Sequence, residues 1–305
     1  MLAAAQEAFQ NESQIQVIQQ ANALETLLSD LFDYAGLFPP AGLDVRAALT
    51  NYRLYARGRH AVALGRFVVD LPRIPDLLDA LGTAQQTVRV SLVAPPEFDP
   101  ASLAQLFDQG LQIESIEIKA GYPAQVERLA RSMPPAITTY FEVPAGTSND
   151  MLSAIADSGA RAKIRVGGLV AEAFPSPSAV TGLLESLIAC RIPFKATAGL
   201  HHPLRSCHPF TYLPGSPSGL MHGFINLLCA VALLHSGASA ADATLALDER
   251  NRAAFAFSAD TLRWRMHIFT SDQLRAAREN CLISIGSCSF TEPLSDLEAL
   301  GWLLL

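Results

Sequence analysis

Ionisable residues recur two apart in four short, β-branched runs of this chain. Glu117 and Lys119 do so in IESIEIKA (113–120), and Glu142 follows Tyr140 in ITTYFEVP (137–144). Lys163 and Arg165 share RAKIRVGG (161–168), and Lys195, Thr197, Gly199 and His201 run through and beyond PFKATAGL (193–200). Side chains alternate sides along a strand, so residues two apart share a face. If these runs are strands, each aims its charges one way, while Ile116, Ile118, Ile164, Val166, Phe194 and Ala196 face the other. A lysine on such a face can form a Schiff base or hold an anion, and Glu or His can move protons near neutral pH. Lys119, Lys163, Arg165 and Lys195 outnumber Glu117 and Glu142, in a chain whose net charge is −7. A small anion, carboxylate or phosphate, would neutralise that local excess. The structural rival pairs Glu117 with Lys163, and Glu142 with Lys119 or Lys195.

The elements that must position these residues are read from periodicity. Short β-rich runs at 66–71, 88–95, 113–120, 137–144, 161–168, 193–200 and 281–290, with a hairpin at 254–269, alternate with helical stretches such as 123–132, 148–158, 178–189 and 273–280. Strict alternation implies parallel strands joined by crossovers, and eight runs, counting the hairpin once, imply a closed (β/α)8, TIM-barrel-like α/β fold. An open doubly wound sheet is the rival. Residues 1–60 read as an N-terminal helical extension (about 5–31 and 44–57, linked by the loop Asp33–Gly42), and 64–305 as the barrel of a single domain. A helical insertion of some fifty residues follows the sixth run, with helices near 219–236 and 240–249. Barrel active sites sit at the C-terminal mouth, where the second halves of these runs would place their charges.

Composition narrows the function classes. With 50% hydrophobic and 17% charged residues over 305 positions, a large core is expected rather than disorder. Net negative charge without a basic, aromatic-interleaved stripe argues against nucleic acid. The most apolar stretch, 219–234, is broken by His222 and Asn226 and falls short of the roughly 18–20 residues of a membrane span. The N-terminus lacks a signal-peptide pattern, and five cysteines without CxxC spacing suit reduced thiols. A cytoplasmic protein without nucleic-acid or membrane partners is expected, with homo-oligomerisation left open.

The run Lys195-Ala196-Thr197-Ala198-Gly199 resembles the strand-six lysine motif of deoxyribose-phosphate-aldolase-like barrels, close to K-T-x-T-G. The resemblance covers five residues and the strand position. It implies a Schiff-base lysine at Lys195 acting on a carbonyl substrate, neutral because Lys163 and Arg165 stand beside it. It departs in order: the second lysine of that family follows the nucleophile, whereas Lys163-Ile164-Arg165-Val166-Gly167-Gly168 precedes it. The whole chain also resembles bacterial proteins with DYAGLFPPA-, KATAGLHHP- and GSCSF-like segments, a family that brings no activity with it.

The remaining candidates lie in loops. His201, His202, His208 and His222 fall within 22 residues, and His202 and Arg205 begin the loop after the Lys195 run. His201 or Glu142 would transfer protons. His201, His202, Glu117 and Glu142 would be the ligands if a divalent metal were used, although no HxH or HExxH spacing is present. Otherwise no cofactor is implied. Gly167-Gly168 and Gly286-Ser287 offer backbone N–H groups to an anion, while Cys288 reads first as an inert buried thiol. The rigid segment Asp33–Ala41 would cap the barrel or line its pocket, Asp33 adding a carboxylate if it reaches the mouth. The first expectation is an aldolase- or lyase-like enzyme on a small anionic carbonyl compound, with Glu117, Lys119, Lys163, Arg165, His202, Arg205, Gly167, Gly168 and Ser287 lining the site. The alternatives are a metal-dependent isomerase or hydrolase and a non-catalytic binding protein on a barrel scaffold.

Overall fold

A computed structural model describes residues 22–82 and 88–303. Eight parallel strands close into a barrel: β1 (Phe32–Tyr34), β2 (Leu64–Asp70), β3 (Arg89–Ala94), β4 (Gln112–Lys119), β5 (Thr138–Val143), β6 (Arg161–Arg165), β7 (Phe194–Thr197) and, last in the chain, the strand Leu282–Ser287 that pairs with both β7 and β1. The fold is therefore the (β/α)8 barrel that strand–helix alternation implies. Its strand membership differs from the sequence reading at two points.

Phe32–Tyr34, inside the presumed helical extension and its loop, is the first barrel strand. It has only three residues, all buried, so it shows no alternation to read. The helices on either side of it, α1 (Ala23–Leu28) and α2 (Val45–Tyr55), are present, each with a side-chain N-cap from Asn22 and Asp44. The part of the expected first helix at 5–21 lies outside the described residues. The hairpin at 254–269 is not a barrel strand. It forms a separate antiparallel sheet of Phe255–Phe257, Thr261–Trp264 and His267–Thr270, whose strands satisfy one another's backbone groups. Lys195 consequently lies on the seventh barrel strand and Lys163 on the sixth.

Helices follow the strands as expected, among them α3 (Ile74–Leu81), α4 (Ser102–Asp108), α5 (Pro123–Ser132), α6 (Asn149–Asp157) and α7 (Pro177–Ala189). After β7 the insertion holds a hairpin of β8 (Ser206–Pro209) and β9 (Ser218–Met221), then α8 (Phe224–His235) and α9 (Ala240–Asp248). Helix α8 is buried nearly all round, which accounts for its apolarity; among the described residues no helix is long and apolar enough to cross a membrane. The helix α10 (Ser271–Asn280) carries Arg278, whose buried guanidinium donates to the carbonyls of Leu27, Ser29, Leu282 and Ile283. That single side chain ties α1 to the last strand and holds the seam where β1 closes the barrel. The last helix, α11 (Thr291–Ala299), begins four residues beyond that strand.

Candidate active site

Inside the barrel, register sets the polar layer. Glu142, Lys163, Lys195 and Ser284 are successive Cα partners across β5, β6, β7 and the last strand, so their side chains share one level of the lumen. Glu117 enters from β4 and Asp33 from β1. The Lys195 ammonium lies 2.6 Å from Asp33 Oδ2 and 2.6 Å from Glu117 Oε1. Glu117 Oε2 meets Lys163 Nζ at 2.9 Å, and Lys163 meets Glu142 Oε2 at 3.1 Å. The result is a chain of alternating charge, Asp33–Lys195–Glu117–Lys163–Glu142.

Neutral groups complete it. Ser284 Oγ donates to Asp33 Oδ2 at 2.8 Å, and the Arg66 backbone N–H donates to Oδ1 at 2.8 Å. Ser91 Oγ donates to Glu117 Oε1, and Ser115 Oγ to Ser91 Oγ, both at 2.8 Å. Gly65 makes room: a Cβ there would overlap Asp33 Oδ1. Burial alone would push Glu117 up, but the Lys163 and Lys195 ammonium groups hold it well below the usual carboxylate range. Burial alone would likewise lower Lys195, but Asp33 and Glu117 outweigh it and raise its pKa. Lys195 is thus a protonated cation, contrary to the neutral amine expected from flanking cations. The carboxylates are nearer to it than Arg165 or any other cation.

Above this layer, at the C-terminal ends of the strands, opens a cavity of about 370 Å³. Glu117, Lys195, Lys163 and Glu142 form its floor, Phe38, Pro39 and Pro40 of the loop after β1 one wall, and Phe210 and Tyr212 of the β8–β9 connection another. Lys195 is sealed, with 0% of its surface exposed, whereas Lys163 is 8% exposed and Glu142 more open. The turn after β7 helps shape the cavity. Ala198 and Gly199 both have left-handed backbone (φ 67° and 73°), an arrangement that costs about 1–2 kcal/mol for a residue with a Cβ. It turns the chain towards His201 on the cavity wall.

On that wall stands a second cluster. Cys288 Sγ lies 4.0 Å from both ring nitrogens of His201, whose Nδ1 is 3.1 Å from Glu292 Oε2. Tyr212 O–H donates to the same Glu292 oxygen at 2.9 Å and stands 3.8 Å from Cys288 Sγ. Burial works against charging His201, but Cys288 and Glu292 outweigh it and push its pKa up to about 9. His202 pairs separately with Asp296 at 2.6 Å.

Of the residues singled out in the sequence, Lys195, Glu142, His201, Glu117, Lys163, Arg165, His202 and Gly168 line this one cavity. Four do not. Lys119 is exposed at the end of β4. Arg205 is turned away to Asp248 (2.9 Å) and His222 (3.2 Å). Gly167 is packed so closely on Phe174 and Gly199 that a Cβ would not fit. Ser287 Oγ is spent on the Ser289 carbonyl at 2.7 Å. The expected positive excess is not present: Lys119 is outside and Asp33 inside, so Lys195 and Lys163 face three carboxylates, with Arg165 as the third cation. Ion pairing does tie Glu117 to Lys163, but Glu142 pairs with Lys163 rather than Lys119 or Lys195. Among the described residues, Arg165 is the charged cavity-lining side chain without an ion-pair partner.

The four residues considered as metal ligands do not converge. His201 and His202 are held by Glu292 and Asp296 on the wall, Glu117 and Glu142 by lysines on the floor. Among the described residues no group of three or more His, Cys, Asp or Glu side chains is arranged to hold a metal ion. His222 is a core histidine, its Nε2 2.8 Å from the Pro175 carbonyl and its pKa lowered by burial to about 4. Residues not foreseen are Ser91, Ser284, Tyr212, Glu292 and Asp296. The two serines carried a signal, a hydroxyl at a lumen-facing position between aliphatic neighbours, Val90 and Leu92 for Ser91 and Ile283 and Ile285 for Ser284. The other three sit in the insertion and on the last helix, where no strand parity applies. Comparison with family models, curated proteins and solved structures finds no match to this chain.

Proposed function

We propose that the protein is an enzyme acting on a small anionic carbonyl compound, with aldolase- or lyase-like chemistry at the carbon next to the carbonyl. The observation that carries this reading is the combination, in one cavity, of an unpaired Arg165, a lysine on the floor, Lys163, and a neighbouring carboxylate, Glu142. Every acidic group lining the cavity already has a cationic or histidine partner, and Arg165 is the cation left unpaired to meet an anionic group. Arg165 would take the carboxylate or phosphate.

Lys163 is the better candidate than Lys195 for meeting the carbonyl. Each lysine lies between two carboxylates, but Lys195 has no exposed surface and the tighter contacts, both at 2.6 Å, whereas those of Lys163 are at 2.9 and 3.1 Å. The work of Lys195 is to hold Asp33 and Glu117 in place and so fix the Lys163 amine from below. To form an imine Lys163 must shed a proton, and Glu142 Oε2, 3.1 Å away, can take it and return it to the departing hydroxyl as water. His201, protonated at neutral pH, would supply protons from the wall.

Borohydride trapping with pyruvate, glyoxylate and a phosphorylated aldehyde tests this, with peptide mapping by mass spectrometry. A reduced adduct at Lys163, absent from Lys163→Met, is the expected result. An adduct at Lys195 would move the imine to that residue, and a compound turned over without any trapped adduct would sink the imine mechanism.

A further inference from the structure

Cys288 sits where a structural thiol has no reason to be. Cys229 and Cys281 are buried thiols pushed up by burial alone, Cys281 to about 11, with no polar group against the sulfur. Cys288, buried as well, lines the cavity, with His201, Tyr212 and Glu292 clustered around it. Glu292 orients the His201 ring through Nδ1, and the sulfur lies against that ring, equidistant from its two nitrogens, so a cationic group stands beside the thiol, the setting that favours cysteine reactivity. The 4.0 Å separation is at the outer edge of thiol hydrogen bonding, and such contacts shorten when substrate binds. The titratable groups facing the sulfur are His201 from the turn after β7, Tyr212 from the β8–β9 connection, Glu292 from α11 and Tyr34 from β1.

We infer that Cys288 is a second covalent centre of this cavity, a thiol beside His201 whose sulfur adds reversibly to the aldehyde carbon of a small substrate. The inference rests on the carbonyl chemistry proposed above and names the class of the second carbonyl partner. The His201 imidazolium donates its ring proton to the carbonyl oxygen as the Cys288 sulfur forms the C–S bond and the C=O π bond opens. The ring, now neutral, takes up the thiol proton, which gives a hemithioacetal and restores the imidazolium. Nothing is oxidised and nothing leaves, so no co-reactant is needed. Aldehydes fit better than ketones because the carbonyl carbon carries one small substituent and the thiol stands in a confined wall. In carbon–carbon bond formation or cleavage, one partner would be activated by Lys163 while the aldehyde partner is held by Cys288.

The test is alkylation by iodoacetamide at pH 7, read residue by residue. The exposed thiols Cys190 and Cys207 serve as references within the same molecule. Cys288 should react roughly tenfold faster than either reference, and His201→Gln should remove that advantage while leaving the references unchanged. Glyoxylate, an anionic aldehyde, should protect Cys288, and pyruvate, of equal charge but a ketone, should protect it far less. Cys288→Ser, which keeps the side-chain size, gives the background. A Cys288 rate no higher than the references, or one unaffected by His201→Gln, overturns the inference. Equal protection by both compounds overturns the aldehyde assignment. Because Lys163→Met leaves the thiol cluster intact, fast alkylation in that variant separates a failure of the lysine chemistry from a failure of this proposal.

Discussion

At the scale of single residues, the protein places its ionisable groups in two environments with opposite consequences. On the floor, each lysine lies between carboxylates, and a buried pair of this kind is costly to break because one charge is left uncompensated. On the wall, His201 is held protonated by Glu292 and Cys288 in spite of burial. Its pKa of about 9 exceeds the ordinary value near 6.5, so the stabilisation is full below about pH 6.5 and fades as the pH rises through 9. A shift of this size corresponds to roughly 3 kcal/mol. Thermal melts of the wild type should fall between pH 6.5 and 9 more steeply than those of His201→Gln. Parallel curves would show that the ring contributes no linked proton. Taking the difference between the two proteins removes the contributions of the other titrating groups.

At the scale of elements, the site depends on the two shortest pieces of the barrel, β1 and β7. Asp33 reaches Lys195 because β1 lies between β2 and the last strand, and because Gly65 on β2 leaves its neighbour without a Cβ. Gly65→Ala should therefore force the Asp33 carboxylate out of place. Overpacking of this kind costs about 1–3 kcal/mol, and here it would also strip one counter-ion from Lys195. Denaturant unfolding checks the size. A Gly65→Ala protein of wild-type stability would mean that Asp33 has room the packing does not show. The β8–β9 hairpin and α11 are the other site-building elements, since they bring Tyr212 and Glu292 to Cys288.

At the scale of the whole molecule, the barrel brings charge to a protein whose surface is net negative and concentrates an unpaired cation at its mouth. Binding of an anion to the folded state alone must stabilise it, by about 2.7 kcal/mol at a concentration a hundredfold above Kd. Phosphate or pyruvate should raise the melting temperature of the wild type, and Arg165→Met should abolish most of that shift while unfolding at nearly the wild-type temperature in buffer. An equal rise in both proteins would place the anion elsewhere.

Much of this was legible from the sequence. Strand–helix alternation implies parallel strands, because these need crossovers, and the number of runs points to a barrel over an open sheet; closure itself is seen in the strand pairing. The two-residue spacing puts Glu117 with Lys119, and Lys163 with Arg165, on one face of their strands, because side chains alternate along a strand. It does not show how far along the strand that face stays enclosed, and Lys119 lies outside the cavity. What only the tertiary structure decided was partnership. Asp33 lies 162 positions from Lys195 along the chain, and Cys288 is 87 from His201. No periodicity links residues so distant. The three-residue strand β1 is too short to show a pattern, yet its place in the barrel makes Lys195 a sealed cation and leaves Lys163 as the lysine with some surface towards the cavity. Residue type and spacing set which groups face inward; closure of the barrel set which of them touch, and so what each can do.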